Sequence, residues 1–230
     1  MGYILLEGGA EFGGEMAAPD LRALALAGGP DARISIIPAA AAPDDNHIQN
    51  GEKGLSWFQH FGATRVTVLP LIDRSTANNR DIAEALSRST FIYMLGGFPL
   101  HLAQTLRGTH SWQAILSAHR DGAVIAGSSA GAMILCHHYY DPFSKNIEKG
   151  LNLISGTFLI PHHDSFGRDW LPLLIQKHPE MLFIGVDEET GMINDGPKGR
   201  WRIFGKGAVT LYRLDQTRSF QGERPFTLDL

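Results

Sequence analysis

The sequence predicts a single α/β domain of three layers, in which helices flank a mostly parallel sheet and antiparallel hairpins follow at the C-terminal end. Short β-rich runs alternate with helix-like segments, several runs are continuously apolar, and a length of 230 residues suits one domain. Such alternation is typical of parallel strands joined by crossover helices. Strands that are apolar throughout are typical of a sheet covered on both faces. No internal repeat or linker divides residues 1–230.

The elements of this domain can be read in chain order. Six β-rich runs are predicted as the strands of the main sheet: residues 3–6, 33–37, 65–69, 90–95, 123–126 and 182–186. The predicted helices are residues 15–27, 46–61, 79–87, 100–106, 112–118 and 130–138. Right-handed crossovers should join the parallel strands. Short runs at 190–193, 200–204 and 208–211 alternate with Gly, Pro and Lys turns, which predicts antiparallel hairpins that finish the sheet.

Charge and composition exclude several functional classes. A formal net charge of −4 gives no electrostatic reason to expect nucleic-acid binding. A single cysteine excludes an intramolecular disulfide framework and a cysteine-based zinc finger. The first residues, MGYILLEGGAEFGGEM, lack the basic segment and the apolar length of a secretory signal, and no apolar run reaches the ~20 residues that a bilayer requires. We therefore expect a cytoplasmic protein with neither a nucleic-acid nor a membrane partner.

The most informative stretch is DGAVIAGSSAGAMILC, residues 121–136. Residues 127–131 form a G-x-S-x-G motif between a predicted strand and a predicted helix, which is the context of a nucleophile elbow. A sharp turn there would project the Ser129 hydroxyl above the sheet edge, and the amide of Ala130 could donate to a developing oxyanion. The alternative interpretation is a Gly/Ser-rich turn in which Ser128 or Ser129 caps the helix.

The ordered segments of this chain resemble one family. The GSSAGA sequence is similar to the GTSAGA-type elbow of cyanophycinase and α-aspartyl dipeptidase, serine peptidases of the class I glutamine amidotransferase-like (flavodoxin-like) fold. Further segments resemble the family in the same order: ILLEGGAEF (4–12), FIYMLGGFPLHL (91–102), LIPHHDSFGR (159–168) and FIGVDEETGMI (183–193). The resemblance therefore covers most of the chain and implies this fold.

Members of the family use a Ser–His–Glu triad in that chain order. Carried over residue by residue, the resemblance implies Ser129 as nucleophile, His163 as base and Glu188 as the acid that orients the base. Asp187 and Glu189 remain alternatives for the acid, because the stretch is acidic and the alignment can slip by one place. The chemistry requires these types, since a serine hydroxyl needs a base to take its proton and a carboxylate fixes the tautomer of that imidazole.

The resemblance also implies an oxyanion hole. In the family, amides of the loop after the fourth strand join the amide that follows the nucleophile. In this chain that loop contains Gly96 and Gly97, and glycine allows close backbone approach. Gly97 and Ala130 are therefore the expected oxyanion donors, and a plain strand-to-helix turn is the alternative for the glycine pair.

The positions expected to bind substrate depart from the family. Phe98, followed by proline, replaces the acidic or amide residues that follow the glycine pair in relatives. A pocket for an N-terminal aspartate would need a cation, which Arg168 or Arg80 could supply. Phe98, His162 and Trp170 would instead make a more apolar or aromatic pocket. Phe98 and Arg168 are the expected substrate-binding residues, and recognition of a β-aspartyl-arginine polymer is not supported.

These observations together predict a serine peptidase that hydrolyses short peptides, of the dipeptidase or cyanophycinase type, through an acyl-enzyme. The alternatives are an esterase or acyltransferase with the same triad, and a non-catalytic member that binds a small ligand. No cofactor is implied. No metal is expected either, because adjacent residues such as His162 and His163 seldom ligate the same ion. The partners expected are a small peptide substrate and, from the resemblance, a second copy in a homodimer.

The single cysteine bears on the choice of chemistry. Related amidotransferases of this fold carry a nucleophilic cysteine at the elbow. Here Cys136 lies seven residues beyond Ser129, within the helix predicted over 130–138. We expect a buried packing residue at this position and no glutaminase-type thiol chemistry.

Overall fold

Two β-sheets flanked by helices make up the fold, as described by a computed structural model for residues 1–214 and 216–229. The strands in chain order are β1 Tyr3–Glu7, β2 Arg33–Ile37, β3 Arg65–Val68, β4 Phe91–Met94, β5 Val124–Ser128, β6 Cys136–Asp141, β7 Asn146–Lys149, β8 Ile154–Ile160, β9 Leu182–Val186, β10 Thr190–Ile193, β11 Arg202–Gly205, β12 Val209–Arg213 and β13 Gln216–Phe220. The α-helices are α1 Ala17–Leu26, α2 His47–His60, α3 Arg80–Ser87, α4 Pro99–Leu106, α5 His110–Arg120, α6 Ala130–Met133 and α7 Leu171–Lys177.

The first sheet has seven strands in the order β11-β10-β1-β5-β4-β2-β3. The five strands from β1 to β3 in this order run parallel, whereas β10 pairs antiparallel with β1 and β11 pairs antiparallel with β10. The central strands β4 and β5 are buried along their whole length, as expected for a sheet covered on both faces. The carboxyl ends of β1, β4 and β5 therefore lie side by side at one edge of this sheet.

The second sheet has six strands in the order β13-β12-β9-β8-β6-β7. The pairs β6–β8 and β8–β9 are parallel, and β7, β12 and β13 pair antiparallel with their neighbours. The segment between β9 and β10 passes from the second sheet to the first, so residues 187–189 lie where the two sheets meet. Among residues 1–214 and 216–229, no helix is both long enough and apolar enough to span a bilayer.

The fold class predicted from the sequence is confirmed, and its main strands and helices lie where the apolar periodicity placed them. The second sheet was not expected: the sequence pattern did not indicate β6, β7, β8 and β13, and it placed β9 (predicted at 182–186) and β12 (predicted at 208–211) in the main sheet, whereas both pair within the second sheet. The prediction of one helix over 130–138 was wrong: α6 ends at Met133, and Cys136 begins β6. The sequence CHHYYD of β6 is rich in aromatic residues, which favour strands, and pairing with β7 and β8 prevails over continuation of the helix.

The two glycines of the G-x-S-x-G motif allow β4, β5 and α6 to come into close contact. A Cβ atom on Gly127 would lie 2.3 Å from the carbonyl carbon of Gly131. A Cβ atom on Gly131 would lie 2.3 Å from the backbone oxygen of Met94. Since both clashes are with backbone, neither can be relieved by a side-chain rotation. The motif is thus required by packing as well as by any chemistry.

We expect Gly131→Ala to lower the free energy of unfolding by about 2 kcal/mol, since overpacking of a tight core site costs about 1–3 kcal/mol and outweighs the ~1 kcal/mol that alanine gains in a helix. Urea denaturation followed by circular dichroism measures the change. Gly13→Ala is the matched control, because Gly13 has extended backbone and no atom within 4 Å of an added Cβ. Equal stability of the two variants would contradict the packing argument.

Two carboxyl groups are buried together beneath the edge of the first sheet. Glu7 and Asp20 are both fully buried. The Tyr93 hydroxyl donates to Glu7 Oε2 at 2.5 Å, and the Trp57 indole N–H donates to Asp20 Oδ2 at 2.8 Å. Burial raises the pKa of Asp20 to about 7 and raises the pKa of Glu7 well above its usual range, with the charge of Asp20 adding to the effect on Glu7. The folded protein therefore retains a proton here that the unfolded chain releases.

This pair should make the protein less stable as the pH rises. A carboxyl with a raised pKa in the folded state contributes stability that is complete below its unfolded pKa, near ~4, and is lost as the pH rises toward its folded pKa. We expect the free energy of unfolding of wild type to fall between pH 5 and pH 8, and Asp20→Asn to reduce that fall by about 1.4 kcal/mol for each pKa unit removed. Urea denaturation at both pH values measures this, with the exposed Asp121→Asn as control. If the free energy of unfolding falls equally with pH in wild type and in Asp20→Asn, Asp20 is not a source of the pH dependence.

Candidate active site

The carboxyl ends of strands from both sheets converge at one edge of the molecule. Ser129 follows β5, His162 follows β8, and Glu188 follows β9. The loop after β1 lies between these segments, where the His162 N–H donates to the Gly8 oxygen at 2.7 Å. In open α/β sheets, sites form outside the carboxyl ends of the strands. The location alone therefore makes this edge the candidate site.

Ser129 occupies a strained turn between β5 and α6. Its backbone has φ 46° and ψ −110°, a conformation that costs a non-glycine residue about 1–3 kcal/mol. The Ser129 N–H donates to the oxygen of Glu7 at 3.1 Å, and the Ser129 oxygen accepts from the Met133 N–H at 2.9 Å. These two bonds hold the turn from both sides. The predicted nucleophile elbow is therefore present in its geometry, and the serine side chain is partly exposed at the sheet edge.

A chain of two hydrogen bonds connects Ser129, His162 and Glu188. His162 Nδ1 lies 2.8 Å from Glu188 Oε1, and His162 Nε2 lies 3.0 Å from Ser129 Oγ. With a proton on Nδ1 donated to the carboxylate, Nε2 is free to accept the proton of the serine hydroxyl. The side chains of His162 and Glu188 remain 19% and 39% exposed, so the site is accessible from solvent.

The expectation that His163 is the base does not agree with this geometry. The His163 side chain is 1% exposed, and both of its ring nitrogens are engaged away from Ser129. Nδ1 donates to Asp187 Oδ1 at 2.9 Å, and Nε2 accepts from the Tyr212 hydroxyl at 2.7 Å. Its ring packs over Gly185, where a Cβ atom would lie 2.4 Å from the imidazole. His163 therefore links β9 to β12 inside the second sheet, and His162 takes the position next to the serine.

The difference of one residue between the expected base and the histidine that contacts Ser129 has a clear origin. Two histidines and two acids stand in adjacent positions, and they form two separate His–acid pairs, His162 with Glu188 and His163 with Asp187. A slip of one place along either segment still gives a plausible pair, so the residue types do not distinguish them. What distinguishes them is burial, which depends on the course of β8 and its neighbours. His162 has φ 50°, so the chain turns sharply at this residue.

Of the three acids considered for the third position, the structure brings Glu188 to His162. Asp187 serves His163 and also accepts from the Ala208 N–H at 2.8 Å. Glu189 accepts from the Glu15 N–H at 3.1 Å and lies 3.6 Å from the Lys206 amine. Consecutive residues of one short loop thus face three different neighbours.

The glycine loop after β1 forms the floor under His162. A Cβ atom on Gly9 would lie 2.2 Å from the His162 ring, and one on Gly8 would lie 2.0 Å from the Asp187 oxygen. Gly9 also has φ 120°, which side chains rarely adopt. Both glycines are therefore needed for the histidine and the acidic loop to reach the end of β1.

The expected oxyanion donors lie beside the nucleophile. A Cβ atom on Gly96 would be 3.3 Å from the Ser129 Cβ, which puts this loop against the serine. Within the part of the chain that the structure describes, the N–H groups of Gly97 and Ala130 donate to no protein acceptor. The Ser129 N–H is occupied by Glu7, so it is not a further donor. Free backbone amides in the two segments next to the serine are what an oxyanion hole requires.

Two aromatic stacks involve residues of the site or of its glycine loop. Phe98 stacks on Phe143 with ring centroids 4.2 Å apart, and Phe143 is 60% exposed. Phe166, which sequence reasoning did not single out, is 51% exposed and stacks on the His162 ring at 4.7 Å. Arg168 is exposed, and its positive charge opposes the rise that burial causes in the pKa of Tyr212. In the described residues, no hydrogen bond joins Arg168 to Ser129, His162 or Glu188.

The single cysteine lies outside this arrangement. Cys136 is fully buried at the start of β6, and burial raises the pKa of its thiol to about 12. A thiol held protonated in this way is a poor nucleophile. Among residues 1–214 and 216–229, no group of three or more His, Cys, Asp or Glu side chains is arranged to hold a metal ion.

Curated relatives of this chain include cyanophycinases. The cyanophycinase of Geminocystis herdmanii is 32% identical over 197 residues, which cover 80% of this chain and 71% of the relative. The cyanophycinase of Trichormus variabilis is 28% identical over 196 residues, which cover 80% of this chain and 64% of the relative. The matched region thus leaves about a third of these relatives without a counterpart in this chain.

Solved structures agree with the sequence comparison. A crystal structure of a peptidase from an acI-B1 actinobacterium superposes with a TM-score of 0.86 at 26% identity, over 99% of this chain and 97% of that one. A putative peptidase E from Listeria monocytogenes superposes with a TM-score of 0.63 at 18% identity, over 94% of this chain and 100% of that one, which shows the fold alone. The model of peptidase family S51 matches residues 4–200. The resemblance noted in the sequence to a family of serine peptidases is therefore confirmed, and the chain belongs to peptidase family S51.

Proposed function

We propose that this protein is a serine peptidase that hydrolyses short peptides through an acyl-enzyme, with Ser129, His162 and Glu188 as its triad. The observation that carries the proposal is the pair of hydrogen bonds from Ser129 through His162 to Glu188, at 3.0 and 2.8 Å. Family membership supports the reaction class. His162 replaces His163 in the triad implied by the resemblance.

In the acylation step, His162 Nε2 takes the proton of the Ser129 hydroxyl while Oγ forms a bond to the peptide carbonyl carbon. The carbonyl oxygen becomes an oxyanion, which the N–H groups of Gly97 and Ala130 stabilise. The intermediate collapses, the C–N bond breaks, and the leaving amine takes the proton from His162. Glu188 stabilises the imidazolium throughout and keeps Nδ1 protonated.

In the deacylation step, water takes the place of the amine. His162 accepts a proton from water while the water oxygen attacks the ester carbon of the acyl-enzyme. The same two amides bind the second oxyanion. Its collapse breaks the bond to Ser129 Oγ, which recovers its proton from His162 and releases the carboxylic acid product.

The surroundings of the serine suggest which peptides bind. Phe98, which follows the expected oxyanion donor Gly97 in sequence, stacks on Phe143, and Phe166 stacks on His162, so both stacks present planar apolar surfaces. We therefore propose that Phe98 contacts the substrate and that peptides with large planar side chains are preferred. Arg168 is retained as a candidate for binding a substrate carboxylate at the rim of the site. These contacts suit a short peptide with few acidic groups better than an N-terminal aspartate.

A panel of dipeptides and a β-aspartyl-arginine polymer, with Ser129→Ala as control, tests the reaction and its substrate together. We expect hydrolysis of at least one class of peptide by wild type and none by Ser129→Ala. A fluorophosphonate probe should leave an adduct on Ser129, detected by mass spectrometry. Cleavage of esters such as p-nitrophenyl acetate without cleavage of any peptide would favour an esterase. Absence of an adduct, while a control serine hydrolase reacts, would show a non-catalytic protein.

The two histidines give a matched comparison. We expect His162→Gln to lower kcat for the best substrate by roughly 10³-fold or more, because the general base is lost, with the free energy of unfolding nearly unchanged. His163→Gln should retain labelling of Ser129 and lower the free energy of unfolding by about 1–3 kcal/mol, because buried partners lose a hydrogen bond. Labelling rates and urea denaturation measure both effects. The opposite pattern, with labelling lost only in a folded His163→Gln protein, would return the base to His163.

A further inference from the structure

Glu11 joins two segments of the site without belonging to the Ser–His–Glu chain. Its Oε1 accepts from the Gly96 N–H at 3.1 Å, and its Oε2 accepts from the Ser128 hydroxyl at 2.9 Å. Gly96 lies in the loop after β4, and Ser128 is the last residue of β5, immediately before the serine of the elbow. One carboxylate therefore connects the loop on one side of Ser129 to the strand that carries it.

The bond to Gly96 fixes the orientation of the amide that follows it. The Gly96 N–H is held by Glu11, and the Phe98 N–H donates to the Ala40 oxygen at 2.8 Å. Gly97, between them, has φ 133°, and an added Cβ would lie 2.3 Å from the Ala40 oxygen. With its neighbours on both sides anchored, the N–H of Gly97 keeps one direction. Among the described residues it has no acceptor, so it remains available to a ligand.

The backbone around Glu11 is strained in a way that serves this contact. Ala10 and Phe12, its two neighbours, have φ values of 60° and 62°. Left-handed backbone costs a non-glycine residue roughly 1–2 kcal/mol, and such strain persists only where the surroundings enforce it. The Phe12 ring packs against Tyr93 and Phe58 at centroid distances of 5.2 and 6.2 Å. The partly buried phenylalanine anchors the loop while the carboxylate turns toward the site.

We propose that Glu11 is a positioning residue that holds the Gly97 amide and the end of β5 in a fixed relative position, so that the oxyanion hole is already formed before substrate binds. This inference rests on the proposed function of Ser129 and of the Gly97 amide. Glu11 itself contacts neither the oxyanion nor the reacting hydroxyl. Its contribution is geometric and requires a hydrogen bond at each of two places rather than a negative charge.

That distinction makes the proposal testable with two substitutions. In Glu11→Gln, the amide oxygen can accept from Gly96 while the amide N–H donates to the Ser128 oxygen, so both connections are retained. In Glu11→Ala, both are lost. The probe is p-nitrophenyl acetate, whose acyl transfer needs the oxyanion hole but few specific side-chain contacts. The second readout is the rate of inactivation by diisopropyl fluorophosphate.

We expect Glu11→Ala to lower kcat by about 10–100-fold with KM changed less than about 3-fold, since loss of one oxyanion donor outright costs about 10²–10³-fold. Inactivation by diisopropyl fluorophosphate should slow by a similar factor. Glu11→Gln should stay within about 3-fold of wild type in both assays. Circular dichroism and urea denaturation identify any loss of fold, and Glu15→Ala, an exposed acid nearby with no contact to Gly96 or Ser128, is the control.

The outcomes separate this inference from the proposed function. Ser129→Ala is measured in the same assays, and if it hydrolyses and reacts like wild type, the proposed function fails. If Ser129→Ala is inactive but folded Glu11→Ala equals wild type in kcat, the inference about Glu11 alone is overturned. A Glu11→Gln variant as slow as Glu11→Ala would also overturn it, because charge rather than geometry would then be required. A rise in KM at unchanged kcat would assign Glu11 to substrate binding and contradict the positioning role.

Discussion

The hydrogen bond from the Ser129 amide to the Glu7 oxygen keeps the serine in a backbone conformation that a free chain would avoid. The rest of the site is arranged around that turn. Only glycine fits at positions 127 and 131, because the turn brings the backbones of β5, α6 and β4 into contact. The side chain of Ser129 is thereby directed out of the sheet toward the histidine. Strain at one residue is compensated by the packing of three elements.

A second constraint is that the groups around the serine come from both sheets. Ser129 belongs to the first sheet, whereas His162 and Glu188 follow strands of the second. The pair Gly8–Gly9 lies between them and admits the His162 ring and the acidic loop at van der Waals distance. The buried pair His163–Asp187, with the Tyr212 hydroxyl, fixes the second sheet just behind the site. Of two adjacent histidines, one is thus structural and the other faces the serine.

The order and type of most elements could be predicted from the sequence, because apolar runs and helical periodicity are local properties. Ser129 could be predicted as a candidate nucleophile from its strand–turn–helix context, and the family pattern favoured Glu188 over its neighbours Asp187 and Glu189 as the acid. The sequence does not distinguish His162 from His163, because the distinction depends on which of the two rings is buried. That burial is decided by strands that are far apart in the chain. The helix predicted through Cys136 failed for a related reason: pairing with β8 decides the structure there, and that partner strand was not recognised.

The position of Glu188 after β9, and the pairing of β10 with the edge of β1, have a consequence for the growing polypeptide. During synthesis, Ser129 and His162 leave the ribosome before Glu188 and before β10, the strand that pairs with β1. Until then, the imidazole has no partner to hold its tautomer, and one side of β1 is unpaired. Under the proposed mechanism, hydrolysis reaches its full rate only when the segment from Glu188 onward has folded onto β1 and the residues that follow it.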